Sequence, residues 1–234
     1  MTGQGLMARA AAAGSPGQPA DRAADMARGP QAVPGAVRVV ETAAELAALA
    51  DPGTAAVIWW RPRPAAFAQW IDALPAPHLP QGRRVVRPDD LAATAAALCA
   101  SAGMPACPGR DWLVADIAAL GAQFAALMRA PFLRLRLEVV ETDACRRFHI
   151  DAVTARLLCT YRGTGTQYGL GRDGGDPDPV HTLPTGAAMV MRGRLWPVQP
   201  CPGLVHRSPP IAGSGESRLL LVLDPAQEAE EAVA

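Results

Sequence analysis

The chain has 234 residues, half of them hydrophobic, and a formal net charge of zero. That length holds one large domain with a substantial core, and the balanced charge argues against a general binder of nucleic acid or anionic membrane. Five cysteines (Cys99, Cys107, Cys145, Cys159 and Cys201) with no Cys-x-x-Cys pair argue against a disulfide framework. The N-terminal stretch lacks an uninterrupted apolar core of signal-peptide type. No window of about 18 apolar residues is free of charge and proline, so no membrane span is expected. The expectation is a cytoplasmic protein with reduced thiols, no nucleic-acid or membrane partner, and homo-oligomerisation left open.

Residues 1–35 are rich in Ala, Gly, Pro and Arg and poor in large apolar groups. They cannot bury enough surface to offset the entropy of ordering, so a disordered tail is expected. Val37 to Val40 reads as a short strand. Thr42-Ala-Ala-Glu45 is a capping-box signature that opens a helix to about Ala50, and Asp51-Pro52-Gly53 stops it. Ala55 to Arg61 reads as a strand. In the helix expected over Ala65 to Leu74, Phe67, Trp70, Ile71 and Leu74 recur at helical spacing. Val85-Val86 reads as a strand. Asp89 or Asp90 is the expected cap of a helix that Gly103 ends. Asp111 is the expected cap of the longest helix, whose stripe is Leu113, Ile117, Leu120, Phe124 and Leu127 and which Pro131 terminates. Residues 36–131 thus read as a mainly helical part of one domain.

The pattern changes at Phe132. Leu133, Leu135, Leu137 and Val139 alternate with Arg134, Arg136 and Glu138, as in a half-buried strand. Further strands are expected at Phe148–Asp151, Ala155–Arg162, Ala187–Met191, Leu204–His206 and Arg218–Leu223. A Gly/Asp/Pro loop is expected over Gly169–Pro179. Short strands divided by turn residues predict an antiparallel sandwich or barrel over 132–224, with the jelly roll as one solution. Residues 225–234 read as a frayed acidic tail. The fold class expected is α+β.

His149 and Asp151 are two apart in a strand-like segment, so both side chains fall on one face, their Cα atoms about 6.5–7 Å apart. With the distant His206 they form a candidate 2-His-1-carboxylate triad, a donor set that leaves one side of an octahedral metal open. Arg218 follows twelve positions after His206. A turn through Gly213 and Gly215 would bring its guanidinium alongside to bind a carboxylate in a bidentate fork. Tyr161 is a candidate hydrogen-bond donor to the same carboxylate, Arg147 and Arg162 are candidates to meet an anionic substrate, and His181 is a replacement ligand. Other readings of these residues remain. A His-x-Asp pair can be a hydrogen-bonded core pair, with His206 capping a loop and the protein a metal-free interaction module that uses its helical N-terminal half. Cys145 and Cys201 precede the two histidines by four and five residues. On helices that spacing would make a Cys2His2 zinc site, but on extended chain four residues span about 13 Å, too far for one ion.

The order His-x-Asp, Gly-led strand Thr185–Gly193, His206, then Arg218 on the last strand resembles the Fe(II)/2-oxoglutarate dioxygenases over residues 132–224. That resemblance implies a cupin-like double-stranded β-helix, with iron held by His149, Asp151 and His206 and the far carboxylate of 2-oxoglutarate held by Arg218. It implies an oxygenase, a hydroxylase acting on an unspecified small molecule or peptide. The chain departs from some members in having Leu220 two residues after Arg218. The segments TAAVIWWRPRP, RRFHIDAVTARLLCTYRGTGTQY and HRSPPIAGSGESRLLLVLD resemble the bacterial family called domain of unknown function 1826, which implies one unit and no particular activity. The alternative kept beside the oxygenase is a non-oxidative zinc- or metal-binding cupin-like protein serving storage, delivery or sensing.

Overall fold

A computed structural model describes residues 29–33, 35–198 and 203–228. The expected tails at 1–35 and 225–234 lie largely outside those residues, as does Cys201. Among the described residues ten strands form two sheets. They are β1 (Val37–Val40), β2 (Ala56–Trp59), β3 (Gly82–Val86), β4 (Phe132–Val140), β5 (Ala155–Arg162), β6 (Gln167–Leu170), β7 (His181–Thr182), β8 (Ala188–Arg192), β9 (Leu204–Arg207) and β10 (Arg218–Ala226). The seven-stranded sheet runs β1-β2-β8-β5-β10-β4-β3, and the three-stranded sheet runs β7-β6-β9. All pairs are antiparallel except β1 with β2. Residues 36–131 therefore do more than supply helices: β1 and β2 close one end of the large sheet and β3 the other. The chain is a mixed α/β structure dominated by one large, mostly antiparallel sheet.

The helices are α1 (Ala65–Ala73), α2 (Leu91–Ser101) and α3 (Pro108–Met128). The Thr42 capping box forms, with the Glu45 carboxylate accepting from the Thr42 N–H and hydroxyl, but the eight residues behind it wind as a 3-10 helix, Ala43–Ala50. The longest helix starts three residues before the expected Asp111 cap. Pro108 takes its first position, where a missing N–H costs nothing, and Asp111 sits in the first turn beside the positive helix end. It ends at Arg129 in a left-handed conformation (φ 50°), before Pro131 is reached. By length and composition α3 is apolar enough to cross a membrane. Its stripe Leu113, Ile117, Leu120 and Phe124 is instead buried within the protein, as in a core helix.

The large sheet has an apolar layer on each face. On the outer face Leu133, Leu135 and Leu137 of β4, Leu157 of β5 and Leu219, Leu221 and Leu223 of β10 pack in one cluster with α1, α2, α3 and the 3-10 helix. On the inner face Ile58, Leu158, Met189, Met191, Leu220 and Val222 pack against Tyr168 and Leu204 of the small sheet. The period of two along each strand sends alternate residues to these two layers. The helical layer thus covers the back of the large sheet, and the space between the sheets lies on the other side.

Two expected features differ. Phe148–Asp151 is not a strand: it touches β9 through one bridge, His149 to His206, with N–H to carbonyl distances of 3.0 and 3.1 Å. The expected loop from Gly169 begins inside β6, because Gly169 and Leu170 still pair with Val205 and Leu204.

Candidate metal centre

The single bridge between His149 and His206 brings the two imidazoles together, with ring centroids 4.5 Å apart. His206 is carried by β9 and buried, while His149 sits on the connecting segment ahead of β5 and is half-buried. That segment is held by Asp173, which accepts from the Ile150 N–H at 3.0 Å and pairs with Arg194 at 3.1 Å. That stretch reads only as a Gly/Asp/Pro loop, so this anchoring role was not visible in the spacing. Asp151 completes the group: one donor atom from each of His149, Asp151 and His206 lies within 4.8 Å of the others.

The orientation of each donor favours an ion at their centre. The His149 Nδ1 lies 2.9 Å from the Arg147 carbonyl, which can only accept, so the proton is on Nδ1 and the Nε2 lone pair is free. Nε2 of His206 lies 3.1 Å from Oδ2 of Asp151 and Nε2 of His149 lies 3.6 Å from Oδ1, yet Oδ2 is buried and receives no well-aligned hydrogen bond. A buried carboxylate oxygen without a donor is costly, and a cation between the three groups would remove that cost. Oδ1 is already engaged by Arg156 at 2.5 Å. Arg156 in turn grips the buried Asp224 through Nε at 2.7 Å and Nη2 at 2.8 Å. Burial pushes the Asp151 carboxyl up, but His149, His206 and Arg156 outweigh it and hold it well below the usual range. Burial depresses His206 and keeps its ring neutral, the ligating form, while the Asp151 carboxylate raises His149.

Arg218 is wholly buried at the start of β10 and shares the inner face with Leu220 and Val222. Its Nε donates to the Thr164 carbonyl at 2.6 Å and Nη1 reaches Ser208 Oγ at 3.4 Å, but Nη2 has no acceptor. Burial depresses its pKa to about 10. Gly163 makes room for it: a Cβ there would come within 2.9 Å of the Arg218 Cγ, at a φ of +78°. Thr160, also on the inner face beside Leu220, has a buried hydroxyl without a partner and was missed in the sequence.

Tyr161, Arg162 and Arg147 do not join this group. Leu219 opposes Arg162 while Leu220 opposes Thr160, so Tyr161 is the extra residue of a β-bulge. Tyr161 has the parity of Leu157 and Cys159 and lies with them in the helix-facing core, where its hydroxyl donates to Asp116 at 2.6 Å, and the bulge brings Arg162 to that side as well, opposite Leu219. Arg162 donates to the Leu74 carbonyl beyond α1. Arg147 is exposed, and its carbonyl rather than its guanidinium serves the site. His181 pairs with Tyr168 across β7 and β6, their rings 5.4 Å apart, outside the donor cluster. Cys145 is exposed and also outside it, so among the described residues no cysteine joins the two histidines.

Several solved structures are similar in part. The rice dioxygenase for auxin oxidation matches at 14% identity and TM-score 0.47, covering 82% of this chain and 84% of that one. Dioxygenase for auxin oxidation 1 from Arabidopsis thaliana, in complex with 2-oxoglutarate, matches at 10% identity and TM-score 0.41 over 65% of each chain. A cupin-2 domain protein from Shewanella frigidimarina matches at 21% identity and TM-score 0.27 over 40% of this chain and 71% of that one. No curated protein matches the chain. The model of one family, described as "Protein of unknown function (DUF1826)", matches residues 41–224, and the chain belongs to that family.

Proposed function

We propose that this protein is an Fe(II)- and 2-oxoglutarate-dependent oxygenase, and the observation that carries the reading is the convergence of His149, Asp151 and His206 around a buried, donorless carboxylate oxygen. The strand order fits a double-stranded β-helix. From β4 onward the chain alternates between sheets: β4 large, the His149 bridge small, β5 large, β6 and β7 small, β8 large, β9 small, β10 large. Residues 36–131 and 132–224 are one folding unit in this reading, because strands of both build one sheet.

The donor set is that of a non-haem iron site with open positions. His149 and His206 offer Nε2, and Asp151 offers Oδ2 because Arg156 occupies Oδ1. When bound, iron with 2-oxoglutarate supplies dioxygen activation and the oxidation of a C–H bond; the protein holds and orients the partners and keeps water out. Arg218 Nη2 is the unspent donor for the far carboxylate of 2-oxoglutarate, and Thr160 Oγ1 is a second donor on the same face. A buried arginine is retained here at a cost in stability, as expected of a binding group.

The experiment is iron-dependent release of succinate from 2-oxoglutarate by the full chain, compared with His149→Ala. The expected result is release that requires iron and disappears in the variant. Protein that binds iron in the native triad and never consumes 2-oxoglutarate removes the co-substrate from the account. Zinc at one ion per chain, insensitive to iron and lost in Cys145→Ser, would instead favour the storage or sensing alternative.

A further inference from the structure

A cavity of about 340 Å³ lies where the end of β5, the start of β10 and the C-terminal end of α1 meet. Arg63, Asp72, Arg162 and Glu216 supply its charges, and Leu183 and Pro184 an apolar wall. Neither Arg218 nor any of the three candidate metal ligands lines it. Residues 163–165 form part of its wall, and the Thr164 carbonyl among them is the acceptor of Arg218 Nε. Two of the four charged groups are held in place. The Arg63 side chain is 5% exposed, donates from Nη1 to the Tyr161 carbonyl at 2.6 Å and pairs with Asp72 at 3.0 Å. Glu216 accepts from the Thr164 N–H at 2.5 Å and from its hydroxyl at 3.0 Å. The other two are not used up. Arg162 makes one hydrogen bond, to the Leu74 carbonyl at the C-cap of α1, and no ion pair among the described residues, so most of its five N–H groups are unspent. The Asp72 side chain is 48% exposed and meets Arg63 alone, which leaves it acceptor capacity. Ser217 is buried and lines the cavity, and its hydroxyl has no partner among the described residues.

We propose that this cavity is a binding site for a free α-amino acid, with the carboxylate on Arg162 and Ser217, the ammonium on Asp72 and the side chain against Leu183 and Pro184. The site stands apart from the metal centre and does not rest on the oxygenase reading. Its volume is that of a small-molecule pocket. An anion alone would meet Asp72 and Glu216, and a cation alone would meet Arg63 and Arg162. A molecule carrying both charges close together leaves neither sign unmatched. The Leu74 contact sets the Arg162 guanidinium at the end of α1, the helix that carries Asp72. The partial negative charge of that helix end favours an ammonium beside Asp72. The planar fork of Arg162 suits a carboxylate, which lysine would hold less well.

The test is a thermal-shift screen of the full chain against each of the common L-amino acids, followed by calorimetric titration with the best stabiliser, with its decarboxylated amine and with its deaminated acid. At least one amino acid is expected to bind, and the amine and the acid each to bind about tenfold more weakly or worse. Asp72→Asn, a change at a half-exposed side chain, and Arg162→Lys, which keeps the charge and removes the fork, are each expected to weaken binding of the amino acid by a similar factor. His206→Ala is expected to bind the amino acid as wild type does while losing metal. Absence of binding by wild-type protein that still takes up iron overturns the cavity site and spares the metal centre. Binding unchanged in Asp72→Asn, a deaminated acid that binds as tightly as its parent, or displacement of the amino acid by 2-oxoglutarate also overturns it. Amino-acid binding that is lost in the two variants, by a protein that takes up no metal, upholds the cavity site and removes the oxygenase reading.

Discussion

The two faces of the large sheet are built to different standards. On the helix-facing side, charged and hydroxyl groups close on one another, with Arg61 Nε the one atom of that network left without a partner. Arg61 grips both oxygens of Asp116 at 2.5 and 2.6 Å, Tyr161 donates to the same carboxylate, and Cys159 lies against the Gly186 carbonyl. On the inner side, polar atoms are buried and left open: Asp151 Oδ2, Thr160 Oγ1 and Arg218 Nη2. Neighbouring residues of β5 fall on opposite sides of that divide, Tyr161 in the closed network and Thr160 in the open one. Closure is what stability selects, and openness under burial is what a ligand site requires.

The largest effect should come from breaking the closed face. Asp116→Ala leaves Arg61 buried without its counter-ion and should lower unfolding free energy by about 3–5 kcal/mol, read from urea denaturation, with metal uptake by the surviving folded fraction unchanged. A cavity in the same layer, Leu221→Ala, should cost about 2–5 kcal/mol. The open face should respond in the opposite way. Arg218→Met should leave stability within about 1 kcal/mol of wild type or raise it, while weakening 2-oxoglutarate binding by more than tenfold. A destabilisation as large as that of Asp116→Ala would mean that Arg218 is structural. Tyr161→Phe should cost only about 1 kcal/mol and leave 2-oxoglutarate affinity as it was, which separates it from Thr160.

The smallest effect concerns the thiols. Burial pushes Cys99 and Cys159 up to about 11. A thiol raised in the folded state keeps its proton there after the unfolded chain has lost it, near pH 8.5. Stability contributed by these groups is full below that pH and declines as pH rises towards 11. At pH 8 a thiol reagent should modify exposed Cys145 and spare Cys99 and Cys159 until the protein unfolds.

Much of the fold was legible because its strands alternate. β1 and β5 begin and end where the pattern of large apolar residues places them, and β4 and β10 differ from expectation by one to three residues at their ends. The His-x-Asp pair and the later His are the three side chains that lie within 4.8 Å of one another. Three facts were hidden. Both faces of β5 are apolar, so alternation could not say that the parity of Tyr161 faces the helices, and the bulge turns Arg162 to that side as well. Nor could the sequence show that β1, β2 and β3 join the sheet, since their pairing with β8 and β4 spans long stretches of chain. The anchoring of the His149 segment by Asp173 depends on a loop whose composition signals only a turn.

The most direct test of the account is anaerobic titration of metal-free protein with Fe(II), comparing wild type with His206→Ala. One ion bound per chain, with loss of that binding in the variant, is the predicted result. Equal uptake by both proteins, or none by wild type, would contradict a centre formed by His149, Asp151 and His206.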